Sequence, residues 1–276
     1  MIDSHVHFWN FDPVRDNWIT EDMGKIRNDF MPNDILSTYR EIGIEGCIAV
    51  QANQSETETQ FLLDLADKNP IIKGIVGWTD LKADNLIERL NYWKKFELIK
   101  GWRHVLQAEQ DDFILDDRFA EGVKTLNQFG YTYDLLCYHT QLKSIIKLVD
   151  KLSGQAIVLD HCGKPDVKTQ ELRSYEENIK TLAQNPNVSC KISGLLTEAD
   201  WLNFTEKQIY NCFDIVFKHF GVDRILYGSD WPVVLVSRPY TDWFNLVQKY
   251  AAQFTEEEKF KIFGGNAERF YKISSC

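Results

Sequence analysis

Residues Ile2–Phe8 read IDSHVHF, a short apolar run in which polar side chains recur two positions apart. After a longer interval come a stretch with helical spacing near 32–43 and a second β-branched run at Glu45–Gln51. This order predicts two parallel strands, because parallel neighbours need a crossover connection that is usually a helix. The start of the chain therefore predicts a β-α-β unit.

The same alternation continues through the 276 residues. Further strands are predicted at Ile71–Trp78, Ile99–His104, Tyr131–Leu136, Ala156–His161, Val188–Ser193 and Arg224–Asp230. Helical spacing lies between them, near 56–68, 84–96, 116–129, 139–152, 169–184 and 206–220, and again near 240–254 and 256–272. Eight such units favour the α/β class and one (β/α)₈ barrel domain over residues 1–276. The alternative is an open doubly wound sheet, but no glycine-rich nucleotide fingerprint follows the first strand.

Composition narrows the possible partners and compartments. The 31 basic and 41 acidic residues give a net charge of −10, which makes nucleic acid a poor partner. No apolar run reaches the roughly 18 residues that span a bilayer, and the N-terminal residues do not resemble a signal peptide. We therefore expect a cytoplasmic protein that does not bind membranes. Its cysteines, which lack any CxxC spacing, are expected to be reduced thiols: Cys47, Cys137, Cys162, Cys190, Cys212 and Cys276.

The interval 9–31 is too long for an ordinary connection between a strand and a helix. Loops of this length are usually functional or disordered. This one contains Trp9, Phe11, Trp18 and Phe30. With four aromatic side chains to bury, it is expected to form an ordered flap over the mouth of the barrel.

Polar side chains collect where the predicted strands end. They are His5, His7, Arg103, His104, Asp134, Asp160, His161 and Asp230. In a (β/α)₈ barrel the C-terminal ends of the strands and the following loops build the active site. The pattern therefore predicts an enzyme with its site at that face.

His5 and His7 form the sharpest local signal. Residues i and i+2 of a strand point to the same side, so both imidazoles and Asp3 are expected to face the barrel axis. Two inward imidazoles at a barrel mouth suit a divalent metal or a polarised carbonyl group. The alternative is a hydrogen-bonded structural pair.

Asp230 and His161 are the other candidates for the chemistry. A carboxylate beside imidazoles acts as a general base toward water or as a metal ligand, although Asp230 could also cap the following helix. His161 could polarise a carbonyl group, ligate a metal or be a hydrogen-bonded core residue. Arg103 is favoured as a clamp for an anion or hydroxyl, against the alternative of a salt bridge. Lys164 follows a glycine in a loop and could reach a substrate or remain solvated.

Together with His5-x-His7, five ordered motifs carry a family resemblance. They are Gly101–His104 (GWRH), Tyr133–Leu136 (YDLL), Leu159–Pro165 (LDHCGKP), Cys190–Leu195 (CKISGL) and Tyr227–Pro232 (YGSDWP). In this order the sequence resembles the lactonase branch of the amidohydrolase superfamily, from about residue 1 to residue 270. That branch includes hydrolases of L-fuconolactone, L-rhamnonolactone and pyrone dicarboxylate.

The resemblance implies a distorted TIM barrel that hydrolyses a cyclic ester, such as an aldonolactone, to a hydroxy acid. It assigns Asp230 as the general base and His5, His7 and His161 as the groups that polarise the lactone carbonyl. The substrate would then be bound by residues around this centre, for which we predict Arg103, His104, Trp9, Trp231 and Lys164.

The sequence departs from the superfamily pattern of metal ligands. Strand four has Arg103 and His104 where a lysine or glutamate ligand is usual, and strand five has Asp134 but no histidine before His139. A bridged binuclear centre is therefore not expected. A single divalent metal such as zinc, bound by His5, His7, His161 and Asp230, is compatible with the sequence, as is catalysis without a metal.

Two other functions stay open. One is a zinc-dependent amidohydrolase or decarboxylase of the same superfamily, and the other is a sugar-acid-binding barrel without catalysis. In each case the expected partner is a small molecule. The sequence allows a homo-oligomer but does not specify the number of subunits.

Overall fold

A single parallel sheet runs in chain order through the computed structural model, which describes residues 1–273. Its strands are β1 (Ile2–Val6), β2 (Gly46–Val50), β3 (Ile72–Gly77), β4 (Ile99–Val105), β5 (Thr132–Leu136), β6 (Ile157–Leu159), β7 (Val188–Ile192) and β8 (Ile225–Tyr227). β1 and β8 meet through a parallel bridge between Val6 and Trp231 and through the hydrogen bond from the Asp230 amide to the His5 carbonyl. The sheet therefore closes into the distorted (β/α)₈ barrel that the sequence predicts.

Helices follow the strands and form the outer layer. They are α1 (Pro32–Ile42), α2 (Glu56–Ala66), α3 (Leu86–Trp93), α4 (Asp111–Ile114), α5 (Asp117–Gln128), α6 (Leu142–Asp150), α7 (Arg173–Leu182), α8 (Leu195–Glu198), α9 (Glu206–Phe220), α10 (Tyr240–Ala251), α11 (Glu256–Phe260) and α12 (Asn266–Tyr271). Polar caps begin several of them, as where Ser55 accepts a hydrogen bond from the Glu58 amide at the start of α2. Within residues 1–273, no helix combines the length and apolarity needed to cross a bilayer.

β1 contains one residue more than the matching stretch of β2, and this changes the direction in which its side chains point. Asp3 pairs with Cys47 and Val6 with Ala49, so three steps along β1 match two along β2, as in a β-bulge. Asp3 consequently turns toward the helices, where its carboxylate accepts hydrogen bonds from the hydroxyls of Tyr39 and Tyr240. The expectation that Asp3 faces the barrel axis is wrong, because simple alternation does not hold across a bulge.

Two strands end earlier than predicted. β6 stops at Leu159 and β8 at Tyr227, before the polar residues that were expected to complete them. His161 and Asp230 instead have φ of +53° and +59°, in the left-handed region that non-glycine residues seldom occupy. The chain thus leaves the sheet at these points. Such conformations, when stabilised by the surrounding structure, are concentrated at functional sites.

The interval 9–31 is folded, as predicted. It contains a 3₁₀ helix at Glu21–Ile26 and an antiparallel bridge between Trp9 and Phe30. Its apolar side chains pack against Val233 and Val236, which follow β8 at the C-terminal end of the barrel. The segment therefore lies at the face where the polar strand ends are found.

The cysteines described by the structure are free and buried: Cys47, Cys137, Cys162, Cys190 and Cys212. This confirms the expectation of unpaired thiols for these five. Cys276 lies outside the described residues.

Candidate active site

The structure brings His5, His7, His161 and Asp230 into one cluster. Oδ1 of Asp230 lies 3.4 Å from Nε2 of His7, 3.8 Å from Nε2 of His5 and 3.9 Å from Nε2 of His161. The Nε2 atoms of His5 and His7 are 3.2 Å apart. Three elements distant in sequence thus direct four side chains at one small volume.

Each imidazole in the cluster is held through its other ring nitrogen. Nδ1 of His7 is 2.7 Å from the carbonyl oxygen of Val50, at the end of β2. Nδ1 of His161 is 2.8 Å from Oγ of Ser193, just after β7. Contacts of this kind orient the rings and select their tautomers. The cluster is therefore preorganised by backbone and side-chain groups of neighbouring strands.

Burial and neighbouring charges set the ionisation of the site. Burial lowers the pKa of His5 well below its usual value and that of His161 to about 4, so both rings are neutral at pH 7. Burial would raise the pKa of Asp230, but the surrounding imidazoles of His161, His7 and His5 outweigh it and lower that pKa. The resting site at pH 7 therefore combines one carboxylate with neutral His5 and His161.

Arg103 enters the same volume from β4. Its Nη1 is 3.3 Å from Nε2 of His5 and donates a hydrogen bond of 3.2 Å to Oδ2 of Asp160, and its Nη2 donates to the Gln51 carbonyl. Its neighbour in sequence, His104, lies on the opposite side of the strand. There the His104 ring stacks on Phe113 and meets the carboxylate of Glu109 at 3.0 Å. The structure brings Arg103 into the cluster but not His104.

The other predicted substrate-binding residues lie around the cluster. Trp9 and Trp231 are almost fully buried, and both rings pack on Phe30 of the flap. The Trp9 ring centre is 6.4 Å from that of His7. Lys164 forms an ion pair of 3.1 Å with Glu198.

A buried lysine, Lys191, lies beneath the histidines. Nζ of Lys191 is 2.5 Å from Oδ2 of Asp134, 3.0 Å from Oδ1 of Asp160 and 3.1 Å from Nδ1 of His5. Tyr271 of α12 donates a hydrogen bond to the same oxygen of Asp134. The sequence assigned Lys191 no role, although a lysine inside a buried parallel strand is itself a signal, since charged side chains are rarely buried without partners.

The donor atoms also fit a metal ion. One potential ligand atom from each of His5, His161 and Asp230 lies within 4.8 Å of the others. In a tetrahedral zinc site with bonds of about 2.0–2.1 Å, ligand atoms lie roughly 3.3 Å apart. The distances around Asp230, including the one to His7, are close enough to this value for small side-chain movements to complete such a site.

Comparison with known proteins settles the family. The amidohydrolase family profile matches residues 2–273. The chain belongs to the amidohydrolase family. It is 37% identical to an L-fucono-1,5-lactonase of Burkholderia multivorans, over 99% of this chain and 96% of the relative. A second L-fucono-1,5-lactonase, from Burkholderia ambifaria, is 28% identical over 99% of this chain and 95% of that protein.

A solved structure gives the same result for the fold. A crystal structure of a Burkholderia multivorans amidohydrolase with bound zinc superposes with a TM-score of 0.96 at 36% identity, covering 99% of each chain. A second crystal structure of a Burkholderia multivorans amidohydrolase, with bound HEPES, superposes with the same TM-score at 35% identity. These comparisons confirm the family and the barrel that the sequence motifs predicted.

Proposed function

We propose that this amidohydrolase family member opens a sugar lactone, adding water to the cyclic ester to give a hydroxy acid. The observation that carries the proposal is the convergence of one ionised carboxylate, Asp230, on the Nε2 atoms of His5, His7 and His161. Two full-length relatives named as L-fucono-1,5-lactonases support this substrate class. L-Fucono-1,5-lactone is therefore the first substrate to test.

In the proposed reaction, Asp230 accepts a proton from water while the water oxygen attacks the lactone carbonyl carbon. Negative charge develops on the carbonyl oxygen, where N–H groups of the imidazole cluster stabilise it. Collapse of the tetrahedral intermediate breaks the bond to the ring oxygen, which receives the proton and becomes the hydroxyl of the product. The carboxylic acid product ionises in solution.

The lowered pKa of Asp230 affects how much of the rate acceleration comes from the general base and how much from hydrogen-bond donors at the oxyanion. A positioned base typically contributes 10²–10⁴-fold, with most effect when its pKa is near the working pH. A carboxylate of low pKa is a weaker base, although it remains ionised at neutral pH. Hydrogen-bond donors at the oxyanion, each worth about 10²–10³-fold, must therefore supply a large share.

We propose that substrate selectivity comes from the rim of this centre. The guanidinium of Arg103 contacts His5 directly, so it is placed to meet an oxygen of a substrate bound there. Lys164 offers a second cation, and Trp9 and Trp231 offer apolar surface for a sugar ring. Such a mixture suits a hydroxylated lactone with an apolar face.

If a zinc ion binds, its ligands would come from His5, His7, His161 and Asp230. A zinc ion bound there would act as a Lewis acid toward the lactone carbonyl. The relative with bound zinc makes metal dependence a necessary part of the test.

The test is to incubate the protein with a panel of aldonolactones, with and without a chelator. Hydrolysis is measured as the release of acid, which a pH indicator detects. Asp230→Asn should lower kcat by at least about 100-fold. The matched control, Asp67→Asn, changes an exposed aspartate and should have normal activity. Full activity in Asp230→Asn would remove that residue from the role of base. Thermal stabilisation by lactones without any turnover would instead indicate a binding protein.

A further inference from the structure

An ion pair between Lys164 and Glu198 lies beside the histidine cluster, on the side of His161. The Lys164 amide donates a hydrogen bond of 2.8 Å to the His161 carbonyl oxygen, which ties this lysine to the turn that carries the ring. Glu198 follows Gly194 on the next segment, and a Cβ added to Gly194 would lie 2.5 Å from Nδ1 of His161. Nζ of Lys164 and Oε1 of Glu198 are 3.1 Å apart. The pair therefore borders the proposed site.

Both members of this pair are partly open to solvent. The side chain of Lys164 is 14% exposed and that of Glu198 is 21% exposed. Nδ1 of His139 lies 2.8 Å from the Lys164 carbonyl oxygen and helps to fix its backbone. The Lys164 ammonium also lies 5.3 Å from the ring centre of Tyr138, which is exposed at the end of β5. The segments after β5, β6 and β7 thus present a ring, an ammonium and a carboxylate together.

The charged side chains at and beneath the cluster leave no surplus of positive charge. Each cation that approaches it is already paired with a carboxylate, as where Arg103 donates to Asp160 at 3.2 Å and Lys191 contacts Asp134 at 2.5 Å. These side chains comprise three cations and four carboxylates: Arg103, Lys164 and Lys191, with Asp134, Asp160, Glu198 and Asp230. A substrate carboxylate would therefore meet cations that are already neutralised.

A hydroxyl group and a carboxylate interact differently with the Lys164–Glu198 pair. A hydroxyl can donate to the carboxylate of Glu198 and accept from the ammonium of Lys164. A carboxylate can only accept, so Glu198 repels it. We propose that Glu198 is a specificity-determining residue, which neutralises Lys164 and restricts the site to uncharged, hydroxylated lactones. This inference rests on the proposed function and narrows its substrate class.

The test compares two lactones that differ in one group. D-Glucono-1,4-lactone ends in a CH₂OH group, where D-glucaro-1,4-lactone carries a carboxylate. In the unmodified protein, kcat/KM should be at least about 10-fold higher for the neutral lactone, because like charges brought together at a binding site are unfavourable. Equal values, or a preference for the carboxylated lactone, would overturn the proposal.

Glu198→Gln tests whether this residue is the cause, since it keeps the shape of the side chain and leaves the Lys164 charge unbalanced. The ratio of kcat/KM for the carboxylated lactone to that for the neutral one should rise at least about 10-fold, mainly through a lower KM for the carboxylated lactone. The gain should shrink at high salt. It should disappear in the double variant with Lys164→Met. An equal fall in kcat for both lactones at an unchanged ratio would indicate that the pair only supports His161, and would overturn the proposal.

Glu177→Gln is the matched control, because it removes the same charge from an exposed ion pair with Arg173 on the outer helix α7. It should leave the ratio unchanged, and a rise like that of Glu198→Gln would trace the effect to overall charge and refute a local role. If Glu198→Gln does not fold, Lys164→Met alone gives the opposite prediction. The Glu198 carboxylate is then unbalanced, so the preference for the neutral lactone should increase, and a decrease would refute the proposal.

The proposed function and this inference fail in different ways. If neither lactone is opened, the proposed function fails, but the rise in melting temperature that each lactone causes still compares their binding. The neutral lactone should then stabilise the unmodified protein more than the carboxylated one does, and Glu198→Gln should reduce the difference. Equal stabilisation by the two lactones, or none by either, would overturn the inference.

Discussion

Acid should destabilise this fold through His161 before Asp230 is protonated, since the pKa of that carboxyl is lowered. Burial lowers the pKa of His161 from about 6.5 to about 4 in the folded protein. Below pH 6.5 the unfolded chain takes up a proton that the folded protein does not bind, so stability is lost as the pH falls toward 4. At 1.36 kcal/mol per pKa unit, this difference corresponds to about 3 kcal/mol over the whole window, and to about 2 kcal/mol at pH 5.

The assay is urea denaturation at pH 7 and pH 5, followed by tryptophan fluorescence. His5, whose pKa is also lowered by burial, contributes in the same direction, so the comparison must be made with His161→Asn. The variant should lose about 2 kcal/mol less between the two pH values than the unmodified protein. Equal losses in both proteins would show that His161 titrates normally in the fold and would refute its description as a buried neutral imidazole.

Three further predictions follow from the same structure. A Cβ on Gly194, where φ is +64°, would lie 2.5 Å from Nδ1 of His161. Gly194→Ala should therefore displace the His161 ring and lower kcat at least about 10-fold, while the circular dichroism spectrum stays unchanged. A normal kcat would show that catalysis does not need this position of the ring. A Cβ on Gly122 would lie 1.9 Å from the backbone oxygen of Leu81, so Gly122→Ala should cost at least about 1–3 kcal/mol of stability in a thermal melt but leave kcat per folded molecule unchanged. Because the imidazoles of His5 and His161 are neutral and can donate hydrogen bonds to the oxyanion without a metal, lactonase activity should survive dialysis against a chelator. Loss of activity that zinc restores would show that the metal is required.

Much of the fold could be read from local patterns. The alternation of strands and helices depends on side-chain periodicity and on caps such as Ser55, which act over a few residues. The ordered motifs around His161 and Asp230 indicated the family, which the comparisons confirm. The aromatic residues also predicted that interval 9–31 folds, and it does, with Trp9 buried and Phe11 and Phe30 partly buried, although Trp18 stays exposed.

The errors have a common physical origin. Strand alternation placed Asp3 toward the axis, but the extra residue in β1 reverses its direction, and a bulge depends on the neighbouring strand. The left-handed turns at His161 and Asp230 likewise end their strands early to direct side chains into the site. Neither feature has a signature in the residues themselves.

What the sequence determined alone is the set of elements, their order and the chemical groups at the strand ends, since these follow from interactions between near neighbours in the chain. Only the tertiary structure decided which atoms meet. Lys191 contacts His5 across 186 residues, and Val50 selects the tautomer of His7 across 43. Such hydrogen bonds are directional and fail within about an ångström, so they become defined only when the barrel closes.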